Sequence, residues 1–332
     1  MKLGGNPLEE QQDPLNLLYK DIEPYIKQYN IGELLEFNFI RTGLNYSYLI
    51  QTTNGKYILR IYRNRWRNIE DISYEVNALL HIFSYGAKVS VPIADFKGNY
   101  INQITFPNEL FYGVLFSYAE GEIPEVTEDS SFSLGEILAE IHMFSDNFYS
   151  SHKRSYNIDI FHLIDEPMEY LTPLISLHLP KESCSLIFSI ANYIKDKLSN
   201  FQLEIGFCHG DLHDWNVHSC NSLYTVFDFD CCGFGFRAYD IAVYWWNLKM
   251  NYPKKEETCW RAFRNGYESI KTISSADIEA VPIFVMARRY WLAGILLKNP
   301  ETFGTAWINE TGLNMFFTQL LDDVKNFNID LL

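Results

Sequence analysis

The sequence predicts an α+β fold, with a small antiparallel sheet near the start of the chain and a mostly helical remainder. Two observations lead to this prediction. Short β-branched and aromatic runs fill residues 37–62, and Asn54-Gly55 between two of them is a strong hairpin signal. From residue 134 onwards, apolar residues recur mainly at helical spacing. A chain of 332 residues, 47% of them hydrophobic, is long enough to bury the core that such a fold needs.

The sheet is predicted from three strands that follow a short helix over residues 15–28. Residues 37–50 have the pattern of a strand, a turn and a second strand, and residues 56–62 continue as a third strand after the hairpin signal. Apolar residues at helical spacing then predict an amphipathic helix over residues 69–83, with Glu75 at the border of its inward face.

The later elements are less regularly spaced. They are apolar strands at 89–92 and 112–116, a helix at 134–141, short helical groups over 159–205 broken by prolines, a strand at 223–227, a helix at 241–248 and a buried helix at 281–297. We expect Gly233-Phe234-Gly235 to form a flexible turn, and Arg288 and Arg289 to reach the rim of the last helix.

The stretch 207–230 holds the polar residues around which the chain is organised. Asp211 follows a His-Gly pair, Asn216 comes five residues later, and Asp228 and Asp230 end a short apolar strand. Phosphoryl transfer to a hydroxyl needs a carboxylate that can accept a proton, together with oxygen ligands for a hard cation. Asp211 is therefore predicted to orient and deprotonate the acceptor, and Asn216 and Asp228 to hold Mg²⁺. Asp230 is either a second metal ligand or a hydrogen-bond partner of the glycine turn.

The spacing His-x-Asp-x4-Asn, followed by Asp-Phe-x, is that of the protein-kinase catalytic loop and its metal-binding Asp. An alternative is a zinc hydrolase built on the same stretch, with ligands His209, Asp211, His213 and His218. That alternative lacks a further patterned cluster elsewhere in the chain and leaves the Asn-then-Asp continuation without a role. The order and spacing of the whole set therefore favour a kinase.

Two motifs extend this similarity to a family. His-Gly-Asp-Leu-His-x-x-Asn, followed by Phe-Asp-Phe-Asp-Cys-Cys-Gly-Phe-Gly-x-x-x-Tyr-Asp-Ile-Ala, resembles the aminoglycoside phosphotransferase superfamily, which includes choline and ethanolamine kinases, a type of homoserine kinase and bacterial stress-response protein kinases. The resemblance implies a two-lobed, protein-kinase-like fold, with an N-lobe over residues 1–118 and a C-lobe over 119–332. It also implies that Asp240 braces the catalytic loop, in which His209 is a structural residue.

The resemblance places nucleotide-binding residues in two parts of the N-lobe. The first strand-turn-strand would lie over the phosphates, with Gly43, Asn45 and Ser47 offering backbone N–H groups or short polar side chains. This turn lacks the full G-x-G-x-x-G set of protein kinases. The polar segment at the end of the 112–116 strand would join the lobes, and backbone groups of Ser117 and Ala119 would meet the adenine edge.

The third strand carries Arg60 where protein kinases have a Lys, and choline kinases are similar to this chain in having Arg there. An Arg is permanently charged and can bind two phosphate oxygens at once. Glu75 on the following helix is predicted to pair with Arg60, as in the Lys–Glu pair of protein kinases. Arg63 is an alternative phosphate ligand.

We therefore predict an ATP-dependent kinase that moves the γ-phosphate to a hydroxyl of a small molecule, with Mg²⁺ and ATP as cofactors and GTP as an alternative nucleotide. The resemblance favours an amine-bearing acceptor, similar to an aminoglycoside, choline or homoserine. The alternatives are a serine/threonine protein kinase of the stress-response type and a catalytically silent nucleotide-binding scaffold. The sequence does not identify the acceptor or the oligomeric state.

Aromatic residues are unusually frequent after residue 240, among them Trp246, Tyr252, Trp260, Phe263 and Tyr267. Aromatic faces can hold an ammonium group by cation–π attraction. Packing in the core is the alternative, and the general burial of such residues favours it.

Composition limits the partners and the location. A net charge of −15 argues against nucleic acid, whose recognition needs a basic surface. The charge would suit a cationic acceptor, and ordinary colloidal solubility is the alternative explanation, which we favour. Met1–Asn6 do not lead into a signal-peptide core, and no window is expected to have the apolar length of a membrane span, so we expect a cytoplasmic protein without a membrane partner. The six cysteines form no C-x-x-C pair and predict no disulfide framework.

Overall fold

The computed structural model describes residues 13–106 and 109–330, which divide into two compact units. The first unit comprises the chain up to Pro124, Asn147–Ser155 and Asp214–Asp230; the second comprises Glu125–Asp146, Tyr156–His213 and the chain from Cys231 onwards. The stretch Met1–Asn6, on which the expectation about a signal peptide rests, lies outside the described residues. The division into lobes at residues 118 and 119 stays a prediction.

Besides one short π-helix and two 3-10 turns, the described residues contain ten α-helices and nine strands. In chain order they are α1 Tyr19–Ile26, β1 Leu34–Thr42, β2 Asn45–Thr52, β3 Gly55–Tyr62, α2 Ile69–Ser84, β4 Ile101–Phe106, β5 Glu109–Ser117, α3 Glu128–Phe144, α4 Glu166–His178, α5 Lys181–Asn200, β6 Ile205–Cys208, β7 Val217–Cys220, β8 Leu223–Val226, β9 Gly233–Phe236, α6 Arg237–Asn251, α7 Glu256–Ile270, α8 Ser275–Lys298, α9 Pro300–Phe303 and α10 Glu310–Asn326. This composition confirms the predicted α+β class.

The first unit contains a five-stranded sheet in the order β1-β2-β3-β5-β4, antiparallel throughout. The first three strands follow the prediction, and Thr52 opposes Gly55 across the hairpin. The expected strand at 89–92 is wrong, because Val89 and Pro92 make only isolated bridges. Pro92 has no N–H to donate to a ladder. The sheet is completed instead by β4, which the sequence analysis missed.

Helix α1 packs on this sheet through an apolar stripe. Ile22, Tyr25 and Ile26 of α1 are buried in one core with residues of β1, β2, β3 and β5. Helix α2, predicted over 69–83, begins with a reciprocal cap in which Asn68 Oδ1 accepts from Asp71 N (2.9 Å) and Asp71 Oδ2 accepts from Asn68 N (3.2 Å). This cap fixes the residue at which α2 begins, after the short loop that follows β3.

The second unit is mostly helical and is built around α8. Seventeen of the 24 residues of α8 are buried, including Arg288 and Arg289, so the expectation that these two arginines reach a rim is wrong. The expectation that no stretch of the chain is long and apolar enough to span a membrane is also wrong. By length and composition α8 could cross a membrane, and 89% of its most apolar window is buried inside the protein. A buried helix of this kind is the core helix of the unit.

Two helices of the second unit approach each other at glycines. A Cβ on Gly135 of α3 would lie 2.0 Å from the Phe263 carbonyl oxygen, and a Cβ on Gly266 of α7 would lie 2.0 Å from the Phe132 carbonyl oxygen. The aromatic residues of this region also stack on one another, as Trp245 does on Trp260 (centroids 4.6 Å apart, planes 7° apart). The core-packing alternative is confirmed for Phe263 and Tyr267, which are fully buried.

The expected flexible turn at residues 233–235 is wrong. Residues Gly233–Phe236 form strand β9, which pairs with β6. A Cβ on Gly235 would lie 2.2 Å from the carbonyl oxygen of Ile158. A glycine is needed here because another backbone segment passes close to the strand and leaves no room for a side chain. Strand β9 leads directly into α6 and so fixes the position of Asp240.

Candidate active site

A buried cluster of charged groups joins β3 and α2 in the first unit. Arg60 Nη1 donates to Glu75 Oε1 (2.7 Å), and Arg60 Nη2 donates to Asp228 Oδ1 (3.1 Å). Tyr62, two residues further along β3, donates its hydroxyl to Glu75 Oε2 (3.0 Å). Arg60 is 8% exposed and Glu75 fully buried. The structure therefore brings together three of the residues that the sequence analysis selected.

The electrostatics of this cluster keep Arg60 charged. Burial alone would lower the pKa of Arg60, but the carboxylates of Asp228 and Glu75 raise it well above its ordinary value. Burial raises the pKa of Glu75, and the Arg60 guanidinium opposes that rise. A buried charge is tolerated only when it is paired and hydrogen-bonded. Arg60 and Glu75 therefore depend on each other.

Replacement of Glu75 by Gln is expected to destabilise the protein by about 3 kcal/mol, because it leaves Arg60 buried with one charged partner fewer. Urea unfolding of the variant and the wild type measures this difference. The matched control is Glu70→Gln on the same helix, where an exposed carboxylate contacts His152 Nδ1 (3.0 Å). Such a surface pair contributes less than about 1 kcal/mol. Equal stability losses in the two variants would contradict the prediction.

A row of polar side chains crosses the sheet toward Asp228. Ser47 on β2 lies opposite Arg41 on β1 and opposite Arg60 on β3. Directly opposed residues of antiparallel strands project from the same face of the sheet. Arg41 Nη2 donates to Asp228 Oδ2 (2.8 Å), so the two carboxylate oxygens of Asp228 each receive one guanidinium. This face of the sheet therefore carries two guanidinium groups, which can form charge-assisted hydrogen bonds to carboxylate or phosphate oxygens.

The predicted metal ligands lie on either side of the β7–β8 hairpin. Asn216, 3% exposed, ends a short helical turn before β7, and Asp228 follows β8. Phe227 N donates to the Asn216 carbonyl oxygen (3.0 Å), which ties the two ends of the hairpin together. Asp228 has φ +66°, a conformation that Asp and Asn adopt more readily than other non-glycine residues. An amide and a carboxylate oxygen fit a hard divalent cation by their chemistry.

Asp230 is engaged within the first unit. Its Oδ2 accepts from Trp66 Nε1 (2.7 Å), its Oδ1 accepts from Arg67 Nε (3.2 Å), and Arg154 donates to its backbone carbonyl. Burial alone would raise the pKa of Asp230, but Arg67 and Arg154 hold it below its ordinary value. Asp230 is 2% exposed, and both of its carboxylate oxygens are occupied by these contacts. Its role as a second metal ligand stays a prediction.

The first hairpin turn contains the three residues predicted to lie over the phosphates. Gly43 N donates to the Asn45 carbonyl oxygen (3.1 Å), which closes the turn. Asn45 Oδ1 is buried and has no hydrogen-bond partner among the described residues, whereas Ser47 is half-buried. The guanidinium of Arg63, the alternative to Arg60, lies over the ring of Tyr46 (4.6 Å from its centroid). The phosphate-binding roles of these residues stay predictions.

The predicted hinge residues have partners inside the first unit. Ser117 N donates to the Val91 carbonyl oxygen (2.8 Å), and Ser117 Oγ accepts from Val91 N (2.9 Å). The Ala119 carbonyl oxygen lies 2.7 Å from His218 Nδ1, which carries the proton of that bond. These contacts tie the end of β5 and the segment after it to other parts of the first unit. Contact of Ser117 or Ala119 with an adenine stays a prediction.

In the second unit, Asp240 holds the loop that carries Asp211. Asp240 Oδ2 accepts from His209 N and Asp240 Oδ1 from Gly210 N, each at 2.6 Å. Gly210 has φ +82°, and a Cβ there would lie 2.2 Å from the Cys231 carbonyl oxygen. Only glycine fits this position without strain. Asp240 is fully buried, so both loop N–H groups depend on its carboxylate.

One buried group of potential metal ligands occurs among the described residues: His142, Cys208 and Asp240. His142 Nε2 lies 3.1 Å from Asp240 Oδ2 and Nδ1 lies 2.8 Å from the Tyr267 hydroxyl. A carboxylate only accepts, so Nε2 carries the proton and Nδ1 accepts from Tyr267. Burial raises the pKa of the Cys208 thiol, and a neutral thiol is a poor ligand. The group is a hydrogen-bond network that supports the loop.

Asp211 is partly exposed, with 24% of its side chain accessible. Arg288 Nη2 donates to its Oδ1, and His213 Nε2 lies 3.7 Å from the same oxygen. Burial would raise the pKa of Asp211, but Arg288 and then His213 outweigh it and hold the pKa below its ordinary value. Asp211 is therefore ionised at neutral pH and is able to accept a proton.

The contacts of Arg41 and Arg288 were not predicted from the sequence. Arg41 could have been found from hairpin register, because the turn at 43–45 sets Arg41 opposite Ser47, and the Asn54-Gly55 turn sets Ser47 opposite Arg60. Arg288 lies 77 positions from Asp211 along the chain, and no local pattern connects the two.

A family model described as "Phosphotransferase enzyme family" matches residues 39–271, more than two thirds of the chain. Among curated proteins, an "Uncharacterized protein" of Deinococcus radiodurans is 32% identical and aligns with 84% of this chain and 83% of its own length. A homoserine kinase of Xanthobacter autotrophicus is 26% identical and aligns with 79% of this chain and 80% of its own length.

Among solved structures, "Amicoumacin kinase hAmiN in complex with AMP-PNP, Ca2+ and Ami" is similar to this chain with a TM-score of 0.75 and 19% sequence identity. The match covers 92% of this chain and 93% of that one. It confirms the two-lobed, protein-kinase-like α+β fold that the sequence motifs implied.

Proposed function

Because this chain belongs to the phosphotransferase enzyme family and is a phosphotransferase, we propose that it is an ATP-dependent kinase for a hydroxyl of a small, amine-bearing molecule. The observation that carries the proposal is that Arg60 contacts both Glu75 and Asp228. These residues are 15 and 168 positions away from Arg60, and the sequence analysis selected each for a different part of phosphoryl transfer. In kinases a cation on β3 binds the nucleotide phosphates and pairs with a helix Glu.

The residues of the first unit supply the proposed nucleotide site. Arg60 would bind phosphate oxygens and Asn216 and Asp228 would hold Mg²⁺. Arg60 is favoured over Arg63 because it shares its face of the sheet with Arg41 and contacts Asp228 directly. A bound Mg²⁺ supplies neutralisation of the charge on the transferred phosphoryl group. The amicoumacin kinase, which binds AMP-PNP and Ca²⁺, supports a nucleotide and a divalent cation as ligands.

Asp211 is the proposed catalytic base. As the acceptor's hydroxyl oxygen bonds to the γ-phosphorus, the bond from that phosphorus to the bridging oxygen breaks and its electron pair leaves with ADP. The hydroxyl proton passes to the Asp211 carboxylate. Asp240 contributes indirectly, because it holds the backbone N–H groups of the two residues before Asp211 and so helps to position Asp211.

An amine-bearing acceptor is favoured by two facts. A relative with 26% identity over 80% of its length is named homoserine kinase, and homoserine carries both a hydroxyl and an ammonium group. The net charge of −15 favours encounter with a cationic molecule over an anionic one.

Thermal unfolding in the presence of ligands tests this proposal. We expect ATP with Mg²⁺ to raise the melting temperature more than ATP alone, since a ligand that binds the folded state at 100 times its Kd stabilises it by about 2.7 kcal/mol. Homoserine, choline, ethanolamine, hydroxylysine and an aminoglycoside, each added with the non-hydrolysable nucleotide AMP-PNP and Mg²⁺, are then compared. No shift with ATP or GTP at millimolar concentration would contradict the proposal.

A further inference from the structure

Arg288, in the middle of the core helix α8, is 2% exposed and its guanidinium is surrounded by defined partners. It donates to Asp211 Oδ1, to the Gly210 carbonyl oxygen (3.2 Å) and to the Tyr239 hydroxyl (2.9 Å). The guanidinium also lies over the indole ring of Trp291, 4.2 Å from its centroid. The guanidinium of Arg288 is therefore held by hydrogen bonds along its edge and by an aromatic ring against its face.

These contacts restrict the Asp211 side chain. Arg288 bonds a carboxylate oxygen of Asp211 and the backbone carbonyl of the residue before it, so the carboxylate is held relative to its own loop. A guanidinium is planar and its donors have fixed directions, which an ammonium group does not reproduce. Burial raises the pKa of Tyr239, so that hydroxyl stays neutral. Of the three groups that accept hydrogen bonds from Arg288, Asp211 is therefore the anionic one.

We propose that Arg288 is a positioning residue for catalysis: it fixes the orientation of the Asp211 carboxylate that receives the acceptor's hydroxyl proton. This inference rests on the proposed kinase function and adds a residue outside the catalytic-loop motif. Arg288 reaches Asp211 from a different helix, 77 positions along the chain, and is held in α8 independently of the loop by the ring of Trp291.

Replacement of Arg288 is expected to change the pH dependence of kcat. The charged and titratable groups that face Asp211 are Arg288 from α8 and His213 and His209 from its own loop; Tyr239 from α6 contacts Arg288. Arg288 favours the ionised form of Asp211, so loss of its contact raises the pKa of that carboxyl. Activity is lost when the pH falls through this pKa, because a protonated Asp211 cannot accept a proton. The acidic limb of kcat therefore moves to higher pH when Arg288 is replaced.

The next residue of the same helix provides a matched control. Arg289 is 6% exposed and makes a buried ion pair with Asp323, including Nη2 to Oδ1 at 3.2 Å. Its Nη1 also donates to Gln319 Oε1 (3.0 Å). Arg289 thus matches Arg288 in residue type, helix, burial and charge pairing, but its partners are on α10 and at Met250 of α6, and they do not include Asp211.

The experiment compares Arg288→Lys and Arg288→Met with Arg289→Lys and Arg289→Met in the full-length chain. For each variant, kcat, KM for ATP and the pH dependence of kcat are measured with an acceptor that the wild type phosphorylates. We expect Arg288→Lys to lower kcat by about 10- to 100-fold with KM for ATP unchanged, because a misplaced catalytic group costs rate and not nucleotide affinity. We expect Arg288→Met to move the acidic limb to higher pH. Arg289→Lys is expected to keep kcat within about threefold and the pH profile of the wild type.

The variants also separate positioning from folding. Replacement of either arginine by Met removes the guanidinium from its carboxylate, Asp211 or Asp323, and lowers the melting temperature, whereas Lys keeps the charge. If the Met variants do not fold, the kcat of Arg288→Lys compared with that of Arg289→Lys decides the question. An Arg288→Lys enzyme with the wild-type kcat and pH profile, or an equal loss in Arg289→Lys, overturns the inference. A wild type that phosphorylates no acceptor contradicts instead the proposed function.

Discussion

Replacement of Asp211 by Asn is expected to lower kcat for phosphoryl transfer by about 10³-fold while leaving nucleotide affinity within about threefold. The amide has the shape of the carboxylate, and its oxygen still accepts from Arg288, but it cannot take the hydroxyl proton at neutral pH. The loop itself keeps its support, since Asp240 holds the N–H groups of His209 and Gly210. Steady-state kinetics and isothermal calorimetry with AMP-PNP measure the two quantities.

The control for this variant is Asp165→Asn, which makes the same chemical change in the second unit. Asp165 is 41% exposed as a side chain and contacts Lys195 Nζ (3.0 Å). A surface pair of this kind contributes little to stability, so kcat is expected to stay at the wild-type value. An Asp211→Asn enzyme with kcat within tenfold of the wild type would show that Asp211 is not the base.

The second large effect is expected for Asp228→Asn, which should weaken Mg²⁺-dependent nucleotide binding on the order of 100-fold, or about 2.7 kcal/mol. The replacement removes a negative charge from the proposed metal site and retains an oxygen ligand. It is also the change that the backbone tolerates, because Asn adopts the observed φ of +66° readily. The increase in melting temperature that Mg²⁺ adds to ATP is expected to disappear.

Glu109→Gln is the control in the first unit, since its carboxylate is exposed and contacts Asn64 Nδ2 (3.0 Å). This variant should keep the Mg²⁺-dependent increase in melting temperature. Asp211→Asn should also keep this increase. The comparison of Asp211→Asn with Asp228→Asn therefore separates proton transfer from cation binding. If Asp228→Asn retains the wild-type response to Mg²⁺, the cation is held by other residues.

The fold could be predicted wherever a local signal decided the structure. Asn54-Gly55 fixed the register of β2 and β3, and the apolar period alone predicted α2. Strand β4, Ile101–Phe106, was missed because its alternation is irregular and it lies at the edge of the sheet. Strand β9 was taken for a turn because its glycines serve a close approach to Ile158, which no local pattern reveals.

The candidate site divides in the same way. Asp211, Asn216 and Asp228 lie within 18 residues of one another, so their spacing alone identified them. Arg41 and Arg288 reach Asp228 and Asp211 from 187 and 77 positions away. Such contacts depend on how strands and helices are arranged in each unit, and a single sequence does not contain that information in its spacing.

Whether this protein is a small-molecule kinase can be decided by following the γ-phosphate itself. Phosphorus NMR of a reaction with the protein, ATP, Mg²⁺ and the amine-bearing acceptors distinguishes ATP, ADP, inorganic phosphate and a new phosphate monoester. We predict a monoester on a small molecule that grows in step with ADP and is absent with Asp211→Asn. Phosphate found only on protein would contradict the small-molecule acceptor, and no consumption of ATP with any acceptor would contradict the kinase.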